Sequence, residues 1–181
     1  KRHFVLDASP AVISNFQKRY PDTKIDSIEC YFENFETEER FDIIVLGYIL
    51  EHVDDPKLIL EKFKKFLKPS GRIFITVPNA EVLNRKLGHL AGMLDNMQEL
   101  SDHDLLLGHK RYYTVDSLKD DVESSGYHIE NIEGIYLKPL TTRQMLSLKL
   151  HKNIIDALCQ VGVKYPELSC GIFLEARLKI K

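Results

Sequence analysis

The chain has 181 residues, 44% of them hydrophobic, enough for one substantial core and by length better suited to one domain than to two. Its 25 basic and 27 acidic residues leave a formal charge of -2, which argues against a broad phosphate-binding surface and so against nucleic acid as a partner. Cys30, Cys159 and Cys170 are odd in number, far apart and outside any CxxC or Cys/His spacing, so the expectation is reduced thiols in a cytoplasmic protein, with no disulfide framework and no metal site.

In chain order, HFVLD (3–7) reads as a first strand, and SPAVISNFQKRY follows as a helix with Ser9 at the N-cap and Pro10 at the first helical position. KIDSIECY (24–31) is a weaker strand, and FDIIVLG (41–47) a strong one. In DDPKLILEKFKKFLKPSG, Ile59, Phe63, Phe66 and Leu67 fall on one face with lysines opposite, and Pro69 to Gly71 stop the helix before the strand RIFITVP (72–78). The strands are unbroken apolar runs, the pattern of a parallel sheet covered by helices on both faces. Residues 79–113 are the least regular and read as a variable lid or substrate segment. TVDSLKDDVESSG then reads as a capped helix, YHIENIEGIYL as a strand, residues 141–161 as one helix carrying Met145, Leu148, Ile155 and Leu158, and CGIFLEARLKI as the closing strand. No apolar run approaches the roughly 18 residues of a membrane span, and KRHFVLDASP is too short in apolar residues for a signal peptide. The expectation is a soluble chain that, starting on Lys1 instead of methionine, is open to being a fragment.

In an open parallel sheet ligands bind beyond the carboxyl ends of the strands. Those positions here are Asp7-Ala8-Ser9, Tyr31-Phe32-Glu33, Gly47-Tyr48 with Glu51-His52, and Pro78-Asn79. Asp7 suits two roles, accepting both hydroxyls of a ribose or supporting the start of the next helix. Gly47 admits close backbone approach and Tyr48 offers a flat face, or the pair simply leaves the strand and packs at a core rim. His52 has the intrinsic proton affinity of a general base, although a single histidine in a turn also serves structure. In HDLLLGHKRYYT (103–114), His103, His109, Arg111, Tyr112 and Tyr113 crowd a turn glycine, an arrangement that suits recognition of an anionic or aromatic group with Arg111 as donor fork, or a solvated loop.

Taken together, FVLDASPAVIS, FDIIVLGYILEHVDDPKLILEKFKKFLKPSGRIFITVPNA and GHKRYYTVDSLKDDVESSGYHI resemble the class I S-adenosylmethionine-dependent methyltransferases, most of all small bacterial enzymes acting on metabolites. The resemblance covers most of residues 3–136. It implies an α/β Rossmann-like sheet in the order 3-2-1-4-5-7-6, with helices on both faces and the last strand antiparallel. It also implies S-adenosylmethionine as cofactor, with S-adenosylhomocysteine as product, and a small-molecule substrate taken by in-line displacement at an oxygen or nitrogen. By resemblance Asp7 binds the ribose diol with Ala8 beside it, Tyr31 and Phe32 flank adenine, and Gly47 and Tyr48 line the pocket near the methionine moiety. His52, His109 and Arg111 are the catalytic candidates, and the assembly leaves room for a homodimer. The chain contains no GxG, so the family's first strand and its glycine-rich loop are expected to be absent from it. Two rival readings follow: a non-catalytic methyltransferase-like binding or scaffolding module, and, third, a nicotinamide-dependent oxidoreductase, which leaves the LEHVDDP to LKPSG block unexplained.

Overall fold

The computed structural model describes residues 2–179. By internal contacts the chain divides into two units, residues 1–39 and 40–181.

The first unit is a strand, a helix and a strand. β1 (His3–Asp7) and β2 (Ile25–Glu29) pair in parallel, in register from His3 opposite Ile25 to Asp7 opposite Glu29. Parallel neighbours require a crossover, and α1 (Pro10–Arg19) supplies it. Its start follows the sequence: the Ser9 hydroxyl accepts from the Val12 amide at 3.4 Å, and Pro10 occupies the first turn, where a missing N–H costs nothing.

The second unit is built on a four-stranded sheet in the order β3-β4-β6-β5, formed by β3 (Phe41–Gly47), β4 (Leu67–Pro78), β5 (Tyr127–Leu137) and β6 (Ser169–Leu178). β3 and β4 run parallel, whereas β6 is antiparallel to both of its neighbours. The orders β1-β2 and β3-β4-β6-β5 correspond to strands 2-3 and 4-5-7-6 of the expected sheet, and the reversal of the closing strand lies where the resemblance places it. The final motif's Ile180 lies outside the described residues.

β3 buries Ile44 and Leu46, while Ile43 and Val45 on its other face are 57% and 65% exposed. α2 (Pro56–Phe63) begins where the Asp55 side chain accepts from the Leu58 amide at 3.1 Å, and it buries Ile59, Leu60 and Phe63. Leu118 and Val122 of α5 (Val115–Ser124) extend this core, and the buried Tyr127 hydroxyl donates to the Leu60 carbonyl at 2.9 Å.

Three local readings change. β4 begins at Leu67, five residues before the RIFITVP run, because LKPSG is extended and Leu67 bridges Phe41. The single helix expected over 141–161 is two, α6 (Thr142–Ser147) and α7 (Lys152–Val163). Lys149 adopts a φ of 47°, which no α-helix continues through, and the His151 ring then caps the next helix by accepting from the Asn153 amide at 3.3 Å. The irregular stretch 79–113 contains two more helices, α3 (Leu83–Leu90) and α4 (Asp102–Leu106). Among the described residues no helix is long and apolar enough to cross a membrane.

The approach of α7 to the sheet depends on glycine. A Cβ at Gly134 of β5 would lie 2.2 Å from the Gly162 carbonyl and 2.4 Å from the Ser169 hydroxyl, which itself donates to that carbonyl at 2.9 Å. Gly134→Ala is therefore expected to destabilise the protein by about 3 kcal/mol, the upper range of core overpacking, read as a lower denaturant midpoint; an unchanged midpoint would show that α7 yields freely.

Candidate active site

In the first unit, the carboxyl ends of β1 and β2 bring their predicted residues together. The Cys30 amide donates to the Asp7 carbonyl at 3.1 Å, so Tyr31 and Phe32 leave the sheet at the same end as Asp7 and Ala8. Asp7 spends one carboxylate oxygen on the Ser9 amide at 2.8 Å, which supports α1 and leaves the second oxygen for a diol. Tyr31 is 65% exposed, its ring available for stacking, while Phe32 begins a short 3-10 turn and is half-buried.

In the second unit the chain leaves β3 at Gly47 and Tyr48. A Cβ on Gly47 would meet only Thr76 Oγ1 at 3.8 Å and Val45 Cγ1 at 4.0 Å, so packing does not demand glycine there. Tyr48 is the unusual residue: its φ of 56° lies in the left-handed region, which large L side chains rarely occupy. The strain is offset by its amide, which donates to the Thr76 carbonyl at 2.9 Å and also reaches Thr76 Oγ1 at 3.2 Å. The Tyr48 hydroxyl occupies space left by Gly171 of β6, where a Cβ would come within 2.9 Å of it.

Beside this turn is a cavity of about 400 Å³ walled by Tyr48, Glu51, His52, His109, Tyr112 and Cys170, among others. Glu51 and His52 come from the turn after β3, and His109 from the segment after α4. The segments are joined by Arg111, which donates to the carbonyls of Leu50 at 2.9 Å, Val53 at 2.6 Å and Asp54 at 3.0 Å. The Lys110 amide adds a bond to the Glu51 carbonyl at 2.8 Å, and its ammonium pairs with Asp54. Arg111, expected as a donor to a ligand, thus spends its guanidinium on the backbone of the turn that carries Glu51 and His52.

The two histidines meet edge to face, ring centroids 4.7 Å apart at 84°. His52 Nδ1 lies 3.3 Å from the Gly108 carbonyl; since that oxygen only accepts, Nδ1 carries the proton and Nε2 presents a lone pair. His109 Nδ1 stands 3.6 Å from an Asp104 oxygen, beyond hydrogen-bond range but within electrostatic reach. Burial, reinforced by His52, lowers the His109 pKa, more than Asp104 raises it. Burial alone would raise the Asp104 carboxyl, yet hydrogen bonds from Ser101 and from Tyr112, at 2.6 Å, hold it below the ordinary carboxylate value. Tyr112, buried and bonded to that acid, is pushed up to about 12, and the Arg85 guanidinium lies 4.7 Å over its ring.

Glu51 was absent from the residues singled out as catalytic or cofactor-binding, and it is the most unusual group here. It is fully buried, neither carboxylate oxygen has a hydrogen-bond partner, and burial pushes its pKa up to about 7. One of its oxygens and one nitrogen each from His52 and His109 lie within 4.8 Å of one another, a grouping of donors that suits a metal ion. The available signal was an acid inside the apolar run YILEHV, next to His52. Asp104, Asn84, Lys138 and Cys170 also face the cavity and were not picked out.

A family model described as a methyltransferase domain matches residues 5–132. The ubiquinone biosynthesis O-methyltransferase of Aeromonas salmonicida is 29% identical over 122 residues, 66% of this chain and 47% of that protein. The mitochondrial ubiquinone biosynthesis O-methyltransferase of Dictyostelium discoideum is 26% identical over 144 residues, 79% of this chain and 42% of that protein. The chain therefore spans less than half the length of these two relatives. Among solved structures, an S-adenosylmethionine-dependent methyltransferase from Mesorhizobium loti superposes with a TM-score of 0.66 at 16% identity, over 97% of this chain and 80% of that one. The N-methyltransferase NodS from Bradyrhizobium japonicum, in complex with S-adenosylhomocysteine, does so with a TM-score of 0.58 at 12% identity, over 99% and 67%. These likenesses show the α/β Rossmann-like methyltransferase fold.

The buried carboxyl has a consequence for stability. Because the folded pKa of Glu51 is raised from 4.5 to about 7, the folded state binds more protons than the unfolded state between those values, and stability falls as pH rises through that window. His109, lowered from 6.5, acts in the opposite direction just below that value, so the Glu51 contribution is isolated by comparison with Glu51→Gln. Relative to wild type, Glu51→Gln is expected to gain on the order of 3 kcal/mol between about pH 4 and pH 8, read from chemical denaturation. A pH-independent difference would show that the carboxyl ionises normally.

Proposed function

We propose, from the premise that this chain belongs to the methyltransferase-domain family, that it carries out S-adenosylmethionine-dependent transfer of a methyl group to a hydroxyl of a small-molecule acceptor. One observation carries this reading furthest: two imidazoles and a buried carboxyl converge on a cavity at the carboxyl end of β3, beside the Gly47-Tyr48 step that the family resemblance assigns to the methionine moiety. The relatives named O-methyltransferases favour oxygen as the accepting atom. All three cysteines are free thiols, in keeping with a reducing compartment, so the proposed location is the cytoplasm.

Each unit by itself carries groups of the kind that the family resemblance assigns to the cofactor. In the first, Asp7 has a carboxylate oxygen free for a diol with Ala8 alongside, and Tyr31 and Phe32 offer ring faces. In the second, Gly47 presents unobstructed backbone next to the strained Tyr48. When bound, S-adenosylmethionine supplies a methyl group already activated on a sulfonium. What remains for the protein is positioning and proton removal. Tyr48 and Tyr112 shape the cavity, and His52 and His109, the second with its pKa lowered by burial, are the groups placed to accept the proton of the acceptor hydroxyl. Arg111 acts by holding the turn that carries His52 against the segment that carries His109.

Calorimetric titration with S-adenosylhomocysteine, paired with transfer of labelled methyl groups to hydroxylated small molecules, tests this. Asp7→Ala is expected to weaken binding by about 1–3 kcal/mol, the loss of hydrogen bonds to a charged group; unchanged affinity removes Asp7 from the site. His109→Ala is expected to keep that affinity while turnover falls by roughly a hundredfold, the usual contribution of a positioned base. Equal losses in both would indicate a misfolded variant, and a folded protein that binds no S-adenosylhomocysteine would favour a non-catalytic module.

A further inference from the structure

Resting on the methyl-transfer reading above, we propose that Lys138 and Asn84 form the recognition end of the cavity: Lys138 binds a carboxylate on the hydroxylated acceptor, and Asn84 accepts a hydrogen bond from a donor beside that carboxylate. The topology places Lys138 there. β4 and β5 both run antiparallel to β6, so β5 points the same way as β4 and β3. Leu137 lies opposite Ser169 and Pro78 opposite Gly171, so Lys138, the first residue after β5, leaves the sheet at the same edge as Pro78 and the Gly47-Tyr48 step. β4 and β6 separate β3 from β5, about 14 Å at the backbone for three strand spacings. One end of the cavity therefore carries His52 with His109 against it, and the other carries Lys138.

The Lys138 ammonium is uncommitted. Among the described residues it has neither an ion pair nor a side-chain hydrogen bond. Its charge is nevertheless directed at the cavity, since burial raises the Cys170 thiol pKa and the Lys138 ammonium pulls it the other way. Arg85, the other cation on the walls, is spent: it donates to the carbonyls of Met97 and Glu99 and lies over the Tyr112 ring. Asn84 is fastened beside Lys138, because its backbone amide donates to the Lys138 carbonyl at 3.1 Å and so ties the start of α3 to the end of β5. The Asn84 side-chain oxygen lines the same cavity, buried and with no hydrogen-bond partner. A buried amide oxygen is costly without a donor, and a donor on the ligand relieves that cost.

Charge sets both the class of ligand and its direction. One free ammonium matches one negative charge, so a carboxylate is compensated where a doubly charged phosphate is not. Asp104, held below the ordinary carboxylate value against burial by hydrogen bonds from Ser101 and Tyr112, is an anion on the same cavity, 3.6 Å from the His109 ring. It repels a carboxylate from the histidine end, which leaves that end to the hydroxyl. Tyr48, Val82 and Tyr112 supply ring and aliphatic surface, and about 400 Å³ suits an acceptor built on one aromatic ring. Lys138 and Asn84 thus fix which acceptor binds and which way round it lies.

The test is calorimetric binding, with and without S-adenosylhomocysteine, of phenols that differ in one group: 4-hydroxyphenylacetate, 4-hydroxyphenethyl alcohol, 4-hydroxybenzylphosphonate, and 4-hydroxymandelate, which adds a hydroxyl beside the carboxylate. Wild type is expected to bind 4-hydroxyphenylacetate at least roughly tenfold more tightly than the alcohol, the effect of one charge-assisted hydrogen bond. Lys138→Met is expected to bring the two within about twofold, with Lys138→Gln as a second neutral variant, while Lys138→Arg keeps the preference. 4-Hydroxymandelate is expected to gain a further roughly threefold that Asn84→Ala removes. Absence of binding by the acids, equal affinity for acid and alcohol, a preference that survives in both neutral variants, tighter binding of the phosphonate, or no gain from the added hydroxyl would each overturn the proposal. Methyl transfer to the same phenols is followed in parallel. Acids bound through Lys138 with no phenol methylated would defeat the methyl-transfer reading and leave the recognition end standing; alcohol bound and methylated as well as acid would do the reverse.

Discussion

The site depends on one fork of hydrogen bonds. Arg111 and Leu50 are 61 positions apart, and the guanidinium closes that distance by donating to three carbonyls of a single turn. Those carbonyls belong to residues leaving β3 with no ladder to join, and a buried carbonyl without a donor is costly. A planar guanidinium satisfies several acceptors at once, which an ammonium does less well. Once it is seated, the rest of the segment follows: the Lys110 amide reaches the Glu51 carbonyl, the Tyr113 amide reaches the Pro78 carbonyl at 3.2 Å, and the Ala80 amide reaches the Tyr113 carbonyl at 2.7 Å. Residues 108–113 therefore run as a strap from the end of β3 to the end of β4, and His109 faces His52 because it has little freedom to face elsewhere.

The strap bears on a rigid floor. β4 sits inside the second unit's sheet, paired with β3 and β6 along most of its length, so Thr76 is a fixed point from which to hold Tyr48 in a conformation it would otherwise leave. Asn79, the next polar residue along, is spent on structure: its amide donates to the carbonyls of Pro166, Glu167 and Ser169, and its oxygen accepts from the Glu81 amide at 2.9 Å. The loop before β6 is thereby tied to the end of β4, which sets Cys170 and Gly171 against the cavity and gives the Tyr48 hydroxyl its space. Strain at Tyr48 and the unpaired carboxyl at Glu51 are both destabilising, and both are tolerated where the surrounding hydrogen bonds leave no alternative.

Much of this was legible in the sequence, because apolar runs and helix caps are local signals. Ser9-Pro10, Asp55-Pro56 and Thr114 mark helix starts that the structure keeps, and the antiparallel closing pair followed from the family resemblance. The break between α6 and α7 was not legible, since Lys149 enters the left-handed region without a glycine, asparagine or proline to announce it. Arg111 was visible as a fork of donors, but which acceptors would consume them depends on a contact 61 positions away. Glu51 stands at a strand end in the sequence, but its burial is not legible there for a related reason. A carboxylate beside a histidine reads as a polar turn until tertiary packing shows that water cannot reach it.

Burial also narrows the gap between an acid and a base of ordinary strength. In water the imidazole holds a proton more tightly than a glutamate, by about two pH units. Removing both from water disfavours each charged form, so the same desolvation raises the acid and lowers the base. In this cavity burial pushes Glu51 up to about 7 and lowers His109, so the two groups move toward each other. Asp104 stays low because Ser101 and Tyr112 donate to it, and Glu51 is raised because no side chain does. The difference between these two carboxyls is set by whether the fold brings donors to them, since their intrinsic chemistry is the same. The proton affinities in this cavity are thus set by which groups the fold keeps from water and which it supplies with donors, and the packing that Arg111 holds in place decides both.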